Sequence, residues 1–291
     1  MMGTNFRLQN LHTHSKFCDG ADELEDIVLE AIAKGFDTIG FSSHSFTPFD
    51  ESYCMTDTYG YVTECERLCK EYKDKITVLC GLEQDYFAPS PTYELDYIIG
   101  SVHYIKCKRE YIPVDESPEI LINAANRYFK GDIYSLCEEY YKLVGKVANK
   151  TGCDIIGHFD LISKFCETAP GLIDFNNERI IAAEQEAIEE LIPYGVPFEV
   201  NTGAMARGLR TSPYPSQRCL EKIAQMGGSV ILTSDCHSKE KLDFGFEDAR
   251  DLIQWCGFRG ECFYRDCLLI LTLFLNLQKL KKSIILMSLK Y

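Results

Sequence analysis

The chain has 291 residues, of which 46% are hydrophobic and 12% aromatic, and its formal net charge is −14. This length and composition suit one large α/β domain with a sizeable core. Nucleic acid is excluded as a bulk partner, because no basic stripe offsets the acidic charge. An acidic surface suits a cationic small molecule, although it is also common on soluble proteins without such a role.

The fourteen cysteines do not form the pattern of a secreted disulfide scaffold. They are dispersed, none forms a CxxC pair, and the first twenty residues lack a basic segment followed by an apolar one. We therefore expect reduced thiols in a cytoplasmic protein. Cys18 and Cys236 stand beside candidate metal ligands and could bind metal themselves, but imidazoles and carboxylates already crowd both positions.

Seven apolar runs of strand length alternate with segments of helical periodicity. The predicted strands are Phe6 to Leu11, Thr38 to Phe41, Ile76 to Cys80, Tyr97 to Val102, Asp154 to Gly157, Phe198 to Asn201 and Ser229 to Thr233. Helices are predicted at about 21–35, 58–73, 133–150, 176–192 and 215–226, with a loop at 45–57 and an irregular connection at 105–131. The glutamates between 184 and 190 are expected on a solvated helix face.

His12 and His14 follow the first predicted strand. Residues at i and i+2 of a strand point to the same face, so both imidazoles can share one ion, with Asp19 as a natural third ligand. The other four histidines also follow apolar runs, as do two acidic residues: His44, Glu83, His103, His158, Asp235 and His237. Histidines scattered at random would not show this pattern, which therefore predicts a metal site.

Six of the seven strands are followed at once by His, Glu or Asp. The C-terminal ends of all strands converge on one face of a parallel β/α barrel, whereas an open doubly wound sheet gathers residues mainly at one crevice. Ligands from nearly every strand therefore favour a closed or nearly closed barrel. No linker divides the chain, so we expect one domain over 1–258.

The motifs His12-Thr13-His14, Ser43-His44, Gly81-Leu82-Glu83, Ser101-Val102-His103, Gly157-His158-Phe159-Asp160 and Ser234-Asp235-Cys236-His237, in this order, resemble the PHP (polymerase and histidinol phosphatase) superfamily of phosphoesterases. The stretches Glu199 to Ala204 and Arg207 to Pro215 resemble its monofunctional histidinol-phosphatase branch. The resemblance implies an α/β fold, a distorted seven-stranded (β/α)7 barrel, with three divalent metal ions. Zinc, iron and manganese are all compatible with such mixed ligation.

The resemblance also implies a ligand for each ion, carried over position by position. His12, His14, Glu83 and Asp235 would bind the first ion; Glu83, His103 and His158 the second; and Asp19, His44 and His237 the third. The implied activity is hydrolysis of L-histidinol phosphate to L-histidinol and phosphate in histidine biosynthesis, by in-line attack of a metal-bridging hydroxide. Two alternatives are a PHP phosphoesterase for another small phosphate ester or nucleotide, and a non-catalytic metal-binding barrel.

Charge neutralisation around a phosphate also needs a nearby cation. Arg207 is the first candidate for this phosphate contact, since it follows a strand end by six residues and its planar fork matches phosphate oxygens. Arg210, Lys164 and Thr202 are further candidates for phosphate binding. Asp160 could orient a ligand or protonate the leaving alcohol, and Lys164 is also a catalytic candidate.

Four aromatic residues that flank ligands could line a pocket for an imidazole ring, or could be ordinary barrel packing: Phe17, Tyr86, Tyr104 and Phe159. No membrane span is expected, and a homo-oligomer is compatible with the sequence.

The C-terminal tail, 259–291, departs from the composition of the rest. Residues 258–291 hold six lysines and arginines against two acidic residues, a net of +4, and a run of about ten apolar residues that is too short to span a bilayer. Three explanations are open: a helix that binds a membrane surface or a partner, a C-terminus altered by a change of reading frame, or a swapped packing element.

Overall fold

A computed structural model describes residues 7–264 of the chain. Its strands are β1 (Gln9–Asn10), β2 (Thr38–Phe41), β3 (Thr77–Asp85), β4 (Tyr97–Ser101), β5 (Tyr104–Cys107), β6 (Glu110–Pro113), β7 (Ile155–Ile156), β8 (Phe198–Asn201) and β9 (Val230–Thr233). Its helices are α1 (Leu24–Ala33), α2 (Thr58–Tyr72), α3 (Pro118–Tyr128), α4 (Ile133–Val144), α5 (Val147–Thr151), α6 (Glu178–Leu191), α7 (Gly203–Ala206), α8 (Gln217–Gln225) and α9 (Phe246–Trp255).

Seven strands form one sheet in the order β1-β2-β3-β4-β7-β8-β9, and every neighbouring pair is parallel. Beyond the last strand, Thr13 pairs with Cys236, and His14 N donates to Cys236 O at 2.9 Å. The side chain of Asn10 also donates to Ser234 Oγ. The sheet therefore curves until its last strand meets its first, which confirms the predicted distorted seven-stranded barrel.

The lower interior of the barrel is filled by apolar side chains, with one tyrosine crossing it: Leu11, Leu79, Tyr97, Ile99, Ile155 and Ile231. The Tyr97 hydroxyl donates to Leu11 O at 2.5 Å and to Phe41 O at 2.9 Å. Its ring passes so close to Gly40 and Gly81 that a Cβ on either would overlap it. This packed floor leaves the upper end of the barrel for the polar groups that follow the strands.

Three elements differ from the sequence-based predictions. The connection at 105–131 is not irregular: it holds the antiparallel hairpin β5–β6 and helix α3, which begins at the N-cap Ser117. Strand β3 continues past Cys80 to Asp85, so Glu83 lies within a strand, and the helix predicted over 133–150 is two helices divided at Gly145.

The expectation of a solvated glutamate face on α6 was wrong for Glu184. Its carboxylate is buried and accepts a hydrogen bond from Arg218 Nη2 at 2.7 Å, because α8 packs against this face of the helix. A glutamate beside an arginine on the next helix can be buried without an unpaired charge.

The predicted boundary at residue 258 stays a prediction. Residues just beyond it still touch the barrel floor, where Cys262 N donates to Val230 O at 2.7 Å and Tyr264 Oη donates to Asp96 O at 2.6 Å. The explanations offered for the tail concern residues 265–291, which lie outside the described residues. Within residues 7–264, no helix is long and apolar enough to cross a membrane.

Candidate metal centre

All nine predicted metal ligands lie together at the C-terminal end of the barrel. Six sheet strands or the loops after them supply the set: His12, His14 and Asp19 after β1, His44 after β2, Glu83 on β3, His103 after β4, His158 after β7, and Asp235 and His237 after β9. The pairing of His44 with Glu83 continues the β2–β3 ladder into the site. The parallel register of the strands is what brings these distant residues to one level.

The first donor group joins His12 and His14 to Asp235. Asp235 Oδ1 lies 3.1 Å from His14 Nε2 and 3.6 Å from His12 Nε2. Glu83 Oε2 completes the group, at 3.3 Å from His12 Nε2 and 3.6 Å from His14 Nε2. These are the four residues that the sequence analysis assigned to one ion.

Glu83 also faces a second donor group through its other oxygen. Glu83 Oε1 lies 2.8 Å from His158 Nε2 and 3.2 Å from His103 Nε2. His44 Nδ1 lies 2.8 Å from Glu83 Oε2, so His44 joins Glu83 and His103 as a possible set of donors. The carboxylate therefore lies between two groups of imidazoles, which is the position that a bridging ligand needs.

The third donor group surrounds Asp19, the most exposed of the predicted ligands. Its carboxylate oxygens lie 3.2 Å from His237 Nε2, 3.6 Å from His44 Nε2 and 3.8 Å from His14 Nδ1. The sequence analysis assigned Asp19, His44 and His237 to this ion, and the structure adds His14 to the atoms within reach. Among the described residues the donor groups contain no cysteine, although Cys18 Sγ lies 3.5 Å from His14 Nδ1.

Several donor atoms in these groups are buried and lack a hydrogen-bond partner, including His12 Nε2, His14 Nε2 and Glu83 Oε2. A buried polar atom without a partner costs free energy, and a metal ion is one group that would remove this cost. Imidazole and carboxylate groups are ordinary ligands of divalent zinc, iron and manganese. The residues present therefore fit divalent metal ions.

The charges of the donor groups are strongly coupled. Burial opposes protonation of His12, but the carboxylates of Glu199 and Asp235 outweigh it and raise the pKa of His12 well above its usual value. Burial together with the neighbouring imidazoles of His237 and His44 lowers the pKa of His14 to about 3.

The two central carboxylates stay ionised despite their burial. Burial alone would raise their pKa values, but the surrounding imidazoles hold the pKa of Glu83 well below its usual range. His12 and Arg207 do the same for the pKa of Asp235. Both carboxylates are therefore anionic ligands across the neutral range.

A cavity of about 530 Å³ opens above the donor groups. Its floor contains ligands from each group, and its walls come from loop 45–57 and from the segment after β4. Tyr53, Tyr104, Asp50 and Asp115 lie in these walls, and Tyr104 Oη donates to Asp50 Oδ2 at 2.8 Å. The cavity is large enough for a small molecule that carries a phosphate group.

Arg207 and Lys164 both line this cavity. Arg207 Nη2 lies 3.4 Å from Asp235 Oδ2, and Lys164 Nζ lies 2.9 Å from Asp115 Oδ2. Burial opposes the charge of Arg207, but Asp235 outweighs it and raises the pKa of Arg207. Two anchored side chains that ordinarily carry a positive charge therefore face the space above the donor groups.

Arg210 and Thr202, also predicted to contact phosphate, lie away from the cavity lining. Arg210 is buried over the ring of Tyr214, with its Cζ 4.5 Å from the ring centroid. Thr202 Oγ1 donates to Phe244 O at 2.6 Å. Both side chains are held by contacts within the protein, so the geometry favours a structural role for them in the loops after β8.

Asp160 likewise lies behind the cavity rather than in it. Its Oδ2 accepts a hydrogen bond from Ser216 N at 2.9 Å, and burial raises the pKa of this carboxyl. The carboxyl therefore tethers the loop that leads into α8. The predicted role of Asp160 in protonating the leaving alcohol has no support from its position.

Of the four aromatic residues considered for an imidazole pocket, only Tyr104 lines the cavity described here. Phe159 is fully buried and packs on Phe198, while Phe17 packs edge-on against Tyr61. Tyr86 packs against a neighbouring phenylalanine and is not part of the lining.

Sequence reasoning missed several residues of the site. Asp85 Oδ2 accepts from His103 N at 3.1 Å, and its position two residues after Glu83 on one strand was a usable signal. Glu199, inside the predicted strand 198–201, contacts His12 Nδ1. Tyr53 and Asp115 come from connections without periodicity, so nothing in the pattern marked them.

Comparison with known proteins places this geometry in a family. The PHP domain model matches residues 10–203. A "Probable histidinol-phosphatase" of Schizosaccharomyces pombe (strain 972) is 31% identical over 278 residues, which cover 86% of this chain and 87% of that protein. The histidinol-phosphatase of Bacillus subtilis (strain 168) is 26% identical over 264 residues, covering 81% of this chain and 96% of that protein.

A solved structure shares the fold. The histidinol phosphate phosphatase of Lactococcus lactis subsp. lactis Il1403, complexed with Zn, L-histidinol and phosphate, has a TM-score of 0.65 at 21% identity and covers 87% of this chain and 95% of that one. Together with the family match over residues 10–203, the convergent donor groups settle the membership that the motifs suggested. The chain belongs to the PHP domain family.

Proposed function

We propose that this protein is a metal-dependent histidinol-phosphatase, which hydrolyses L-histidinol phosphate to L-histidinol and phosphate in cytoplasmic histidine biosynthesis. The observation that carries the proposal is the cavity itself, where donor groups for divalent ions and the cations Arg207 and Lys164 face one space. Relatives that share most of their length with this chain are named for the same activity.

The nine ligands would hold three divalent ions, in the sets given by the three donor groups. Zinc is one candidate, because the Lactococcus protein of the same fold was solved with zinc, and iron and manganese suit the same mixed ligands. When bound, such ions supply charge neutralisation at phosphoryl oxygens and a nucleophile at neutral pH. Glu83 would bridge two of the ions, since its two oxygens face different imidazoles.

Arg207 would hold the phosphate. Asp235 anchors its guanidinium at 3.4 Å, so the side chain is held at the edge of the donor groups before substrate arrives. Lys164, anchored by Asp115, would bind a further phosphate oxygen or donate a proton near the leaving alcohol. Both roles use a cation whose position is set by a carboxylate that also lines the cavity.

One wall of the cavity suits a cationic leaving group. Histidinol carries an ammonium group and an imidazole, and the wall formed by loop 45–57 and the segment after β4 offers carboxylates and aromatic rings. Asp50, Tyr53 and Tyr104 lie on that wall. An ammonium beside a carboxylate and an imidazole beside a tyrosine ring are both favourable pairings.

Phosphate release from three compounds tests the proposal. Protein loaded with zinc or manganese would receive L-histidinol phosphate, a generic phosphomonoester and a dinucleotide. We expect a strong preference for L-histidinol phosphate in kcat/KM. Equal and slow rates on all three would assign the chain to a different phosphoesterase activity of the family, and no release with metal bound would point to a non-catalytic barrel.

A further inference from the structure

Strand β8 differs from the other six strands of the described sheet, because its end supplies none of the predicted metal ligands. It supplies Glu199 instead, whose side chain is fully buried directly behind the donor groups. Burying an unpaired carboxylate costs free energy. The groups that bond to Glu199 therefore indicate its role.

Every acceptor position of Glu199 is used. Oε1 contacts His12 Nδ1 and accepts from Thr233 Oγ1 at 2.6 Å. Oε2 accepts from His158 N at 2.7 Å and from Asn201 Nδ2 at 3.0 Å. A carboxylate has about four lone-pair sites, and these four contacts occupy them. Glu199 is therefore not placed to bind a metal ion itself.

The contact with His12 decides which ring nitrogen can bind metal. A carboxylate only accepts hydrogen bonds, so Nδ1 of His12 must carry a proton to face Oε1. In the neutral ring the lone pair is then on Nε2. Nε2 is the atom that faces the first donor group, 3.3 Å from Glu83 Oε2, and it has no hydrogen-bond partner.

The same carboxylate reaches two other ligands. It holds the backbone N–H of His158, and its partner Asn201 also donates to Asp235 Oδ2 at 3.2 Å. Ligands that follow β1, β7 and β9 are thus tied to one group on β8. Hydrogen bonds from residues that do not themselves bind the metal orient the ligands and increase the metal affinity.

We infer that Glu199 is a positioning residue that fixes the tautomer of His12 and aligns His12, His158 and Asp235 for metal binding. This inference rests on the proposed metal centre but is independent of the identity of the substrate.

Glu199→Gln is the sharpest variant, because it keeps the shape, removes the negative charge and replaces one acceptor oxygen with a donor NH2. The amide NH2 cannot face the backbone N–H of His158, which is itself a donor, so it must face His12 Nδ1. His12 would then accept at Nδ1 and carry its proton on Nε2, where the lone pair for metal is needed. We expect zinc affinity, measured by competition with a chelator, to fall about 10- to 100-fold.

Glu184→Gln is the matched control, since it also removes a buried glutamate charge but lies at the α6–α8 contact. Its zinc affinity should stay within about twofold of wild type. Unchanged zinc affinity in folded Glu199→Gln would overturn the inference, as would an equal loss of affinity in both variants.

The second measurement needs no variant. Nitrogen-15 NMR of zinc-loaded wild-type protein should show His12 with its proton on Nδ1 and none on Nε2. A proton on Nε2 would overturn the inference even if Glu199→Gln failed to fold. Neither readout involves turnover, so a failure here is distinguishable from a failure to hydrolyse L-histidinol phosphate.

Discussion

At the scale of the residue, the site depends on carboxylates that each serve more than one imidazole. Glu83 and Asp235 keep their negative charge because neighbouring imidazoles, and Arg207 beside Asp235, lower their pKa values, and these carboxylates in turn raise the pKa of His12. The histidines and their two acidic partners were predictable, because each follows an apolar run. Glu199 was not, since a glutamate inside a strand gives no sign of which ligand it will meet.

Glu83→Ala should remove two ions rather than one. Glu83 Oε2 lies 3.3 Å from His12 Nε2 and Oε1 lies 2.8 Å from His158 Nε2, so its loss takes a ligand from two donor groups. Elemental analysis of the purified variant beside wild type measures this. Asp160→Asn serves as a control that should keep its full metal content, and loss of a single ion from Glu83→Ala would refute the bridge.

Arg207→Ala should lower kcat/KM by about 10²- to 10³-fold, the usual cost of removing a group that stabilises developing negative charge. Arg207→Lys should recover part of this loss, because lysine keeps the positive charge. The recovery should be incomplete, because the ammonium group lacks the planar fork of the guanidinium. Steady-state phosphate release measures both. Arg210→Ala, whose side chain lies outside the cavity lining, should instead lower thermal stability, and an equal loss of kcat/KM in that variant would contradict the assignment.

Metal affinity should weaken as the pH falls from 8 to 6. Burial opposes protonation of His103 and His237, but neighbouring carboxylates raise both pKa values above 6.5, as they do for His12. Protons therefore compete with the metal ion for these imidazoles already near neutral pH. Each proton that metal binding displaces should change the metal affinity by about tenfold per pH unit. Chelator competition at several pH values measures this effect. A dissociation constant that is flat over this range would contradict it.

At the scale of the element, the sheet strands were predictable and the cavity wall was not. The strands have short apolar runs ended by polar residues, which is a strong local signal. The first strand of the hairpin β5–β6 buries Tyr104, Ile105 and Cys107, but the second strand is half-exposed and follows after only two residues. Its pattern is too short to separate from a loop, and its place beside the cavity is set by tertiary contacts.

Gly81→Ala should destabilise the barrel by about 1–3 kcal/mol, the usual cost of overpacking a core. The added methyl group would overlap the ring of Tyr97, whose hydroxyl is held by two backbone carbonyls and cannot easily move. Denaturant unfolding of metal-free protein measures the change. In the background of Tyr97→Ala the same substitution should cost much less, and equal costs in both backgrounds would contradict the proposed overlap.

At the scale of the whole molecule, the barrel turns a linear series of strand ends into one centre. Residues as far apart as His14 and His237, whose ring centroids lie 4.1 Å apart, become neighbours because β9 closes against β1. The sequence motifs predicted the convergence and the family, but not that His14 and His44 would each lie within reach of two donor groups. That sharing depends on distances of a few ångströms, which only the folded chain defines.

The most direct test of the account is anomalous X-ray diffraction from crystals of the zinc-loaded protein, recorded at the zinc absorption edge. We predict three peaks at the C-terminal end of the barrel: one among His12, His14, Glu83 and Asp235, one beside Glu83, His103 and His158, and one beside Asp19, His44 and His237. The absence of peaks among these nine residues, with zinc bound elsewhere on the protein, would contradict the account.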